Sequence, residues 1–168
     1  METTLEEVLI TQYKDEMIAY LAHHPEDFDQ AVELALGNKQ PFSWRAAWLL
    51  WSCMEKNDLR LQGSIGKIIH ALPGKNDGHQ RELLKILLFL DIPEKYEGVL
   101  FDLAAGLWEK IHLRPSVRVM AFRMIMKIAQ KHPDLKQELK FLLQEQYLET
   151  LSPGIKRSVE RMLQESGF

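Results

Sequence analysis

The amino-acid sequence predicts an all-α fold, and three features of the chain carry that prediction. Apolar residues recur at helical spacing along nearly all of the 168 residues, whereas the alternating pattern of a half-buried strand is almost absent. Prolines stand at most boundaries between helical segments, where their fixed φ and missing N–H suit the first turn of a helix. A basic residue also recurs near the start of four of these segments.

The helical segments can be placed in order from their start and stop signals. The first predicted helix covers residues 4–22, and Thr4 with Glu7 has the spacing of a capping box. His24-Pro25 then interrupts the chain. The remaining helices are predicted at residues 26–36, 41–56, 58–72, 77–90, 94–111, 115–131, 134–148 and 153–166. Taken two at a time, the nine segments give about four helix pairs and one final capping helix.

An internal repeat of about 37 residues supports an arrangement of stacked helix pairs. When the repeats are aligned on the basic residue, mostly apolar side chains fall on one helical face. The aligned basic residues are Arg45, Arg81, Arg118 and Lys156. One helix pair cannot bury its apolar face alone, so neighbouring pairs should stack into a continuous core. The sequence therefore predicts one domain over residues 1–168.

The best-defined of these repeats resembles a known family of helical repeats. Residues 117–122 (VRVMAF) are similar to the V-R-x-x-A opening of the first helix in HEAT and armadillo-like repeats, and residues 41–48 (PFSWRAAW) are a looser version. The 77–90 helix departs from the family because it lacks the Val-Arg pair. The resemblance implies a right-handed α-α superhelix, a HEAT-like solenoid, whose second helices line a concave surface that holds a partner.

Charge is unevenly distributed along the chain, although the formal net charge is only −3. Residues 1–36 contain nine acidic residues and one base, Lys14, whereas residues 110–140 contain eight bases and two acids. Such asymmetry bears on partners rather than on fold. The pI of about 6.1 argues against a general nucleic-acid binder, because such domains usually have a pI above about 9.

Several classes of site are excluded by residues that the chain lacks. Cys53 is the single cysteine, so neither an intramolecular disulfide nor a paired-cysteine metal knuckle can form. The six histidines show no metal-ligand spacing, and no phosphate-binding loop occurs. The chain shows no signal peptide and no apolar run approaching the ~18 residues of a membrane span. We therefore expect a cytoplasmic protein that is not an enzyme, needs no cofactor or metal and does not enter a membrane.

The basic segment at residues 110–140 supplies the candidate partner-binding site. Its predicted contact residues are Arg114, Arg118, Lys136, Lys140 and Gln144. The last three follow i, i+4 spacing on a second helix, which is the side that the HEAT resemblance assigns to a partner. We expect a protein-interaction or scaffold module with an acidic protein partner. The alternatives are a solvated face without a ligand, and nucleic-acid binding that resembles the HEAT-like DNA alkylation repair glycosylases. A third alternative is a small-molecule sensor, because tryptophan-rich helical cores can enclose a pocket. The oligomeric state is left open.

Two residue types inside the predicted helices bear on packing. Trp44, Trp48 and Trp51 form a stripe at i, i+4 and i+7, which fits either a core between helices or a surface that stacks on a ligand. Because other apolar residues extend the same face, the core is the favoured interpretation. Four glycines, which lack a side chain, are interpreted as positions of close helix approach: Gly63, Gly66, Gly98 and Gly106.

Overall fold

The protein divides into two compact units of packed helices. We describe it from a computed structural model, which covers residue 1 and residues 3–168. Unit 1 comprises Met1–Asp91 and unit 2 comprises Ile92–Phe168. Within the described residues every regular element is helical and no β-strand occurs, so the all-α prediction is confirmed. A single domain over residues 1–168 stays a prediction.

Unit 1 is built around one central helix. Its helices are α1 (Thr4–Thr11), α2 (Lys14–His23), α3 (Phe28–Leu36), α4 (Phe42–Cys53), α5 (Leu59–Gln62), α6 (Ile65–Ala71) and α7 (Asp77–Leu88), with 3₁₀ turns at Pro25–Asp27 and Leu72–Gly74. Helix α4 packs against α1, α2, α3 and α7. It therefore carries most of the packing in this unit.

Unit 2 is also built around one central helix. Its helices are α8 (Glu94–Glu109), α9 (Pro115–Ala129), α10 (Lys136–Leu142), α11 (Glu145–Leu148) and α12 (Pro153–Glu165), with a 3₁₀ turn at Pro133–Leu135. Helix α9 packs against α8 and α12. Across both units, no helix in the described part of the chain is long and apolar enough to cross a bilayer.

The capping box that opens α1 lies one residue earlier than predicted. The Thr3 hydroxyl accepts a hydrogen bond from the backbone N–H of Glu6 at 3.3 Å, and the Glu6 carboxylate accepts one from the backbone N–H of Thr3 at 2.9 Å. Lys39 Nζ lies 2.6 Å from the same carboxylate. The hydrogen bonds from Lys39 and from the Thr3 backbone lower the pKa of Glu6. The box thus ties the start of α1 to the loop before α4.

Three predicted helices are each broken into two in the structure. The breaks lie at Gln12–Tyr13, Gly63–Ser64 and Leu143–Gln144, within the segments predicted at residues 4–22, 58–72 and 134–148. Apolar periodicity continues across each break, so spacing alone did not reveal them. Glycine and serine are weak helix formers in the interior of a helix, which accounts for the second break.

Part of the core of unit 1 lies where α7 packs on α4. Leu83, Leu84 and Leu87 on α7 are completely buried, and Leu49 on α4 is too. His79 near the start of α7 is also completely buried, and its two ring nitrogens both have partners.

We expect the stability of the protein to fall as the pH drops below the ordinary histidine pKa of about 6.5, in part because of His79. Its Nε2 donates to the Ala35 carbonyl at 2.6 Å and its Nδ1 accepts from Gln40 Nε2 at 3.2 Å, an arrangement that requires the neutral ring. Burial lowers the pKa of His79 and Lys75 adds to this, whereas the hydrogen bond to the Ala35 carbonyl and the charge of Glu82 oppose it. The unfolded chain therefore binds the proton more readily than the folded protein, so stability is present above this pH and lost below it.

Denaturant titrations above and below pH ~6.5 check the role of His79. The loss of unfolding free energy on acidification should be smaller in His79→Gln than in the wild-type protein. A pH dependence of equal size in both proteins would contradict this assignment.

Gly106→Ala is expected to stabilise the protein by about 0.5–1 kcal/mol. The interpretation as points of close helix approach is wrong for Gly63, Gly98 and Gly106, because a Cβ built at any of the three meets no heavy atom within 4 Å. Gly98 and Gly106 lie inside α8, where glycine costs about 0.5–1 kcal/mol relative to alanine. Thermal melts of the variant should show a higher Tm, and an unchanged or lower Tm would contradict the open environment.

Candidate functional site

Unit 1 contains a pocket of about 360 Å³ between the start of α2 and one face of α4 and α7. Its lining combines aromatic rings with charged side chains. The lining residues are Gln12, Tyr13, Lys14, Met17, Trp44, Arg45, Trp48, Arg81, Glu82 and Lys85. We call it the tryptophan pocket.

The aromatic wall of the tryptophan pocket comes from two elements. Trp44 and Trp48 are one turn apart on α4 and are half-buried, while Tyr13 at the start of α2 is 82% exposed. A Cβ at Gly78 would lie 3.4 Å from Trp44 Nε1, in ordinary van der Waals contact, so the first turn of α7 lies beside the indole. The favoured interpretation of the tryptophan stripe as helix-to-helix core is therefore wrong for Trp44 and Trp48, which line an open pocket.

The charged part of the tryptophan pocket is centred on Glu82, whose side chain is completely buried. Glu82 Oε1 accepts from Arg81 Nη2 at 3.0 Å and from Arg81 Nε at 3.2 Å, and Lys85 Nζ lies 3.3 Å from Glu82 Oε2. The Lys85 ammonium also stands 4.4 Å from the ring centroid of Trp51, in cation–π geometry. One buried carboxylate thus orients two cations against the aromatic residues of α4.

The pocket as a whole has an excess of positive charge. Lys14 and Arg45 join Arg81 and Lys85 in its lining, and Glu82 is the single carboxylate among the lining residues. Four cations and one anion leave a formal charge of +3. Lys14 Nζ stands 5.5 Å from the ring centroid of Trp48, so the aromatic and cationic parts of the lining are continuous.

The repeated basic position has a structural role in two of the repeats. Arg45 Nη1 donates to the Leu9 carbonyl at 2.6 Å, in the last turn of α1, and Arg118 Nε donates to the Trp108 carbonyl at 2.8 Å, in the last turn of α8. A cation is favourable at a helix C-terminus because unpaired carbonyls and the helix dipole present negative charge there. Arg81 stands at the same repeat position but contacts the carboxylate in the tryptophan pocket instead.

The structure corrects the prediction that Arg118 binds a partner. Its side chain is 1% exposed, and its Nη2 and Nη1 atoms donate to the Tyr147 carbonyl at 2.5 Å and to the Thr150 hydroxyl at 3.3 Å. The guanidinium also lies over the Trp108 ring at 4.7 Å. Burial lowers the pKa of Arg118. A partner cannot reach this group, whose hydrogen bonds link separate segments of unit 2.

The other four predicted contact residues are exposed in unit 2. Lys136 and Lys140 lie one turn apart on α10, so they project from one face of that helix. Arg114 precedes α9 and Gln144 precedes α11. Phe141, next to Lys140, is 50% exposed and its ring lies 6.0 Å from that of Tyr147.

Unit 2 has a pocket of similar size, about 360 Å³, with the opposite charge. We call it the acidic pocket; it is lined by Glu94, Glu97, Gly98, Phe101, Asp102, Ile128, His132, Asp134 and Leu135. Glu97 is buried and accepts from Lys131 Nζ at 2.8 Å and from His132 Nε2 at 2.5 Å. These two hydrogen bonds lower the pKa of Glu97. The negative charge of Glu97 is therefore already paired with side chains of unit 2.

Comparison with known families identifies the repeat. A sequence model described as a HEAT repeat domain matches residues 1–166. The chain belongs to the HEAT repeat family. No curated protein and no solved structure matches the chain. HEAT repeat domains generally act as protein-interaction scaffolds.

The tryptophan pocket of this HEAT repeat chain was only partly visible in the sequence. The sequence shows the tryptophan stripe and the repeat position of Arg81, but nothing in it places Tyr13 and Lys14 beside them. The break between α1 and α2, which periodicity missed, is what brings these two residues to the pocket. Among the described residues, no group of three or more His, Cys, Asp or Glu side chains is arranged to hold a metal ion.

Proposed function

We propose that this HEAT repeat protein is a non-enzymatic module that binds a protein partner in the tryptophan pocket. The observation that carries the proposal is the composition of the lining: two half-buried indoles and an exposed phenol ring beside four cations and one carboxylate. Tryptophan, tyrosine and arginine are the residue types that dominate binding energy at protein interfaces. A pocket of about 360 Å³ suits one or two anchoring side chains of a partner.

The position of Arg81 supports the proposal further. The equivalent arginines, Arg45 and Arg118, donate to carbonyls at the ends of neighbouring helices. Arg81 makes no such contact within the described residues, and its side chain is 31% exposed at the pocket. Because Arg81 does not cap a helix, the donors that it does not use on Glu82 are available to a ligand.

We also propose a second contact surface in unit 2, formed by the exposed members of the basic segment. Its residues are Arg114, Lys136, Lys140 and Gln144. The exposed ring of Phe141, next to Lys140 in the sequence, adds an apolar side chain to this surface. Exposed cations act mainly on the association rate with an acidic partner, so this surface would steer a partner more than hold it.

A selection from a random peptide library displayed on phage tests the tryptophan pocket without assuming the charge of the partner. Peptides enriched on the wild-type protein are expected to bind Trp48→Ala and Arg81→Gln with a Kd about tenfold or more weaker. Lys67→Ala, which removes an exposed positive charge from α6 outside the pocket, is the matched control and should bind normally. Circular dichroism melts establish that each variant is folded.

Two outcomes would contradict the proposal. One is the absence of any enriched peptide, or peptides that bind the wild-type and pocket variants equally. The other is displacement of bound peptide by duplex DNA in a salt-sensitive manner, which would favour nucleic-acid binding instead. Separately, Lys136→Glu combined with Lys140→Glu should slow peptide association if the basic segment steers an acidic partner.

A further inference from the structure

We infer that the tryptophan pocket recognises a single carboxylate side chain, an Asp or Glu, that lies next to an apolar residue in the partner. This inference rests on the proposed function and names the chemistry of the ligand. It is carried by guanidinium donors that the fold leaves without acceptors, by the charges around the pocket and by the adjoining aromatic wall.

Arg45 and Arg81 each have more hydrogen-bond donors than the described residues accept. A guanidinium carries five N–H groups. Within the described residues, Arg45 donates to a protein acceptor through Nη1 only. Among the same residues, Arg81 donates through Nε and Nη2 only, both to Glu82. The remaining donors belong to two side chains that line the same pocket. Their preferred acceptor is a planar carboxylate, which an arginine can bind through two parallel hydrogen bonds.

The charged residues in and around the tryptophan pocket determine the charge of the ligand that it accepts. The lining has a formal excess of three positive charges, so it favours an anion. Two features limit that anion to a small charge. Glu82 is fixed inside the pocket, and the exposed side chains of Asp15 and Glu16 follow Lys14 in the first turn of α2. A polyanion laid across the pocket would meet these acids, whereas one carboxylate held by the arginines avoids them.

The aromatic rings of the tryptophan pocket determine which residue fits beside the carboxylate. Trp44, Trp48 and Tyr13 offer apolar ring surface continuous with the cations. An apolar side chain adjacent to the carboxylate would cover these rings and exclude water from the ion pair. Charge-assisted hydrogen bonds are stronger where water is excluded, so the two contacts reinforce each other.

The experiment uses blocked synthetic copies of the peptides enriched on the wild-type protein, each made in two forms. One form keeps its Asp or Glu and the other carries Asn or Gln at that position. The acid form is expected to bind about 10-fold to 100-fold more tightly, the effect of charge-assisted hydrogen bonds. It should also shift the indole N–H resonances of Trp44 and Trp48 in nuclear magnetic resonance spectra.

Arg81→Lys separates recognition by a planar guanidinium from simple attraction of charge. It keeps the positive charge but loses the forked donors, so binding of the acid form should weaken about tenfold while the amide form changes little. Lys67→Ala should leave both forms unchanged. Peptides that bind equally in acid and amide form would overturn the inference and leave the proposed function standing. A failure to enrich any peptide would remove both.

Discussion

Replacing Arg118 by methionine is expected to lower the free energy of unfolding by about 3–5 kcal/mol, because buried acceptors lose their donor. The guanidinium donates to the carbonyls of Trp108 and Tyr147 and to the Thr150 hydroxyl, and the side chain is 1% exposed. Methionine fills much of the same volume but supplies no donor. Three acceptors, of which the Trp108 carbonyl lies in the buried core, would then lose their partner.

Denaturant unfolding of Arg118→Met and of Arg123→Met checks this expectation. Arg123 is on the same helix but exposed, so its replacement should stay within about ±0.5 kcal/mol. Similar losses in the two variants would show that the internal hydrogen bonds of Arg118 do not stabilise unit 2.

Leu87→Ala is expected to cost about 2–5 kcal/mol, because it opens a cavity where α7 packs on α4. Leu87 is completely buried, as are its neighbours Leu83 and Leu84. Lys140→Ala, at an exposed position on α10, is the control and should change stability by no more than about ±0.5 kcal/mol. Denaturant melts measure both variants, and equal losses would mean that Leu87 does not lie at a tightly packed position.

The fold class and most helix starts could be predicted because they depend on local signals. Pro115 and Pro153 open α9 and α12 as the first helical residues, and Ser152 caps the latter through the backbone N–H of Ile155. The breaks inside predicted helices were missed because apolar spacing does not report whether the backbone between two apolar residues stays helical. The division into compact units between Asp91 and Ile92 depends on which helices pack together, and local signals in the sequence do not report that.

The candidate site was harder to predict, because a side chain's role depends on its surroundings. Arg45, Arg81 and Arg118 share one repeat position, yet one is buried against carbonyls and another faces a pocket. The charge pattern along the chain did not predict the charge of either pocket, because neighbours in sequence do not always line the same pocket. The acidic first 36 residues contribute Lys14 to a cationic pocket, and the predominantly basic segment at residues 110–140 contributes His132 and Asp134 to the acidic one. Sequence distance did not indicate which charges share a cavity.

The contacts of Arg118 also bear on how unit 2 opens locally. The short helix α11 has no buried residue, and such a segment would ordinarily fray and exchange its amide hydrogens with solvent quickly. Its Tyr147 carbonyl, however, is bound to a guanidinium that also holds the end of α8. Lifting α11 away would leave a buried cation short of an acceptor. The amides of Glu149 and Leu151, bonded within this turn, should therefore exchange together with those of α9, as one cooperative unit.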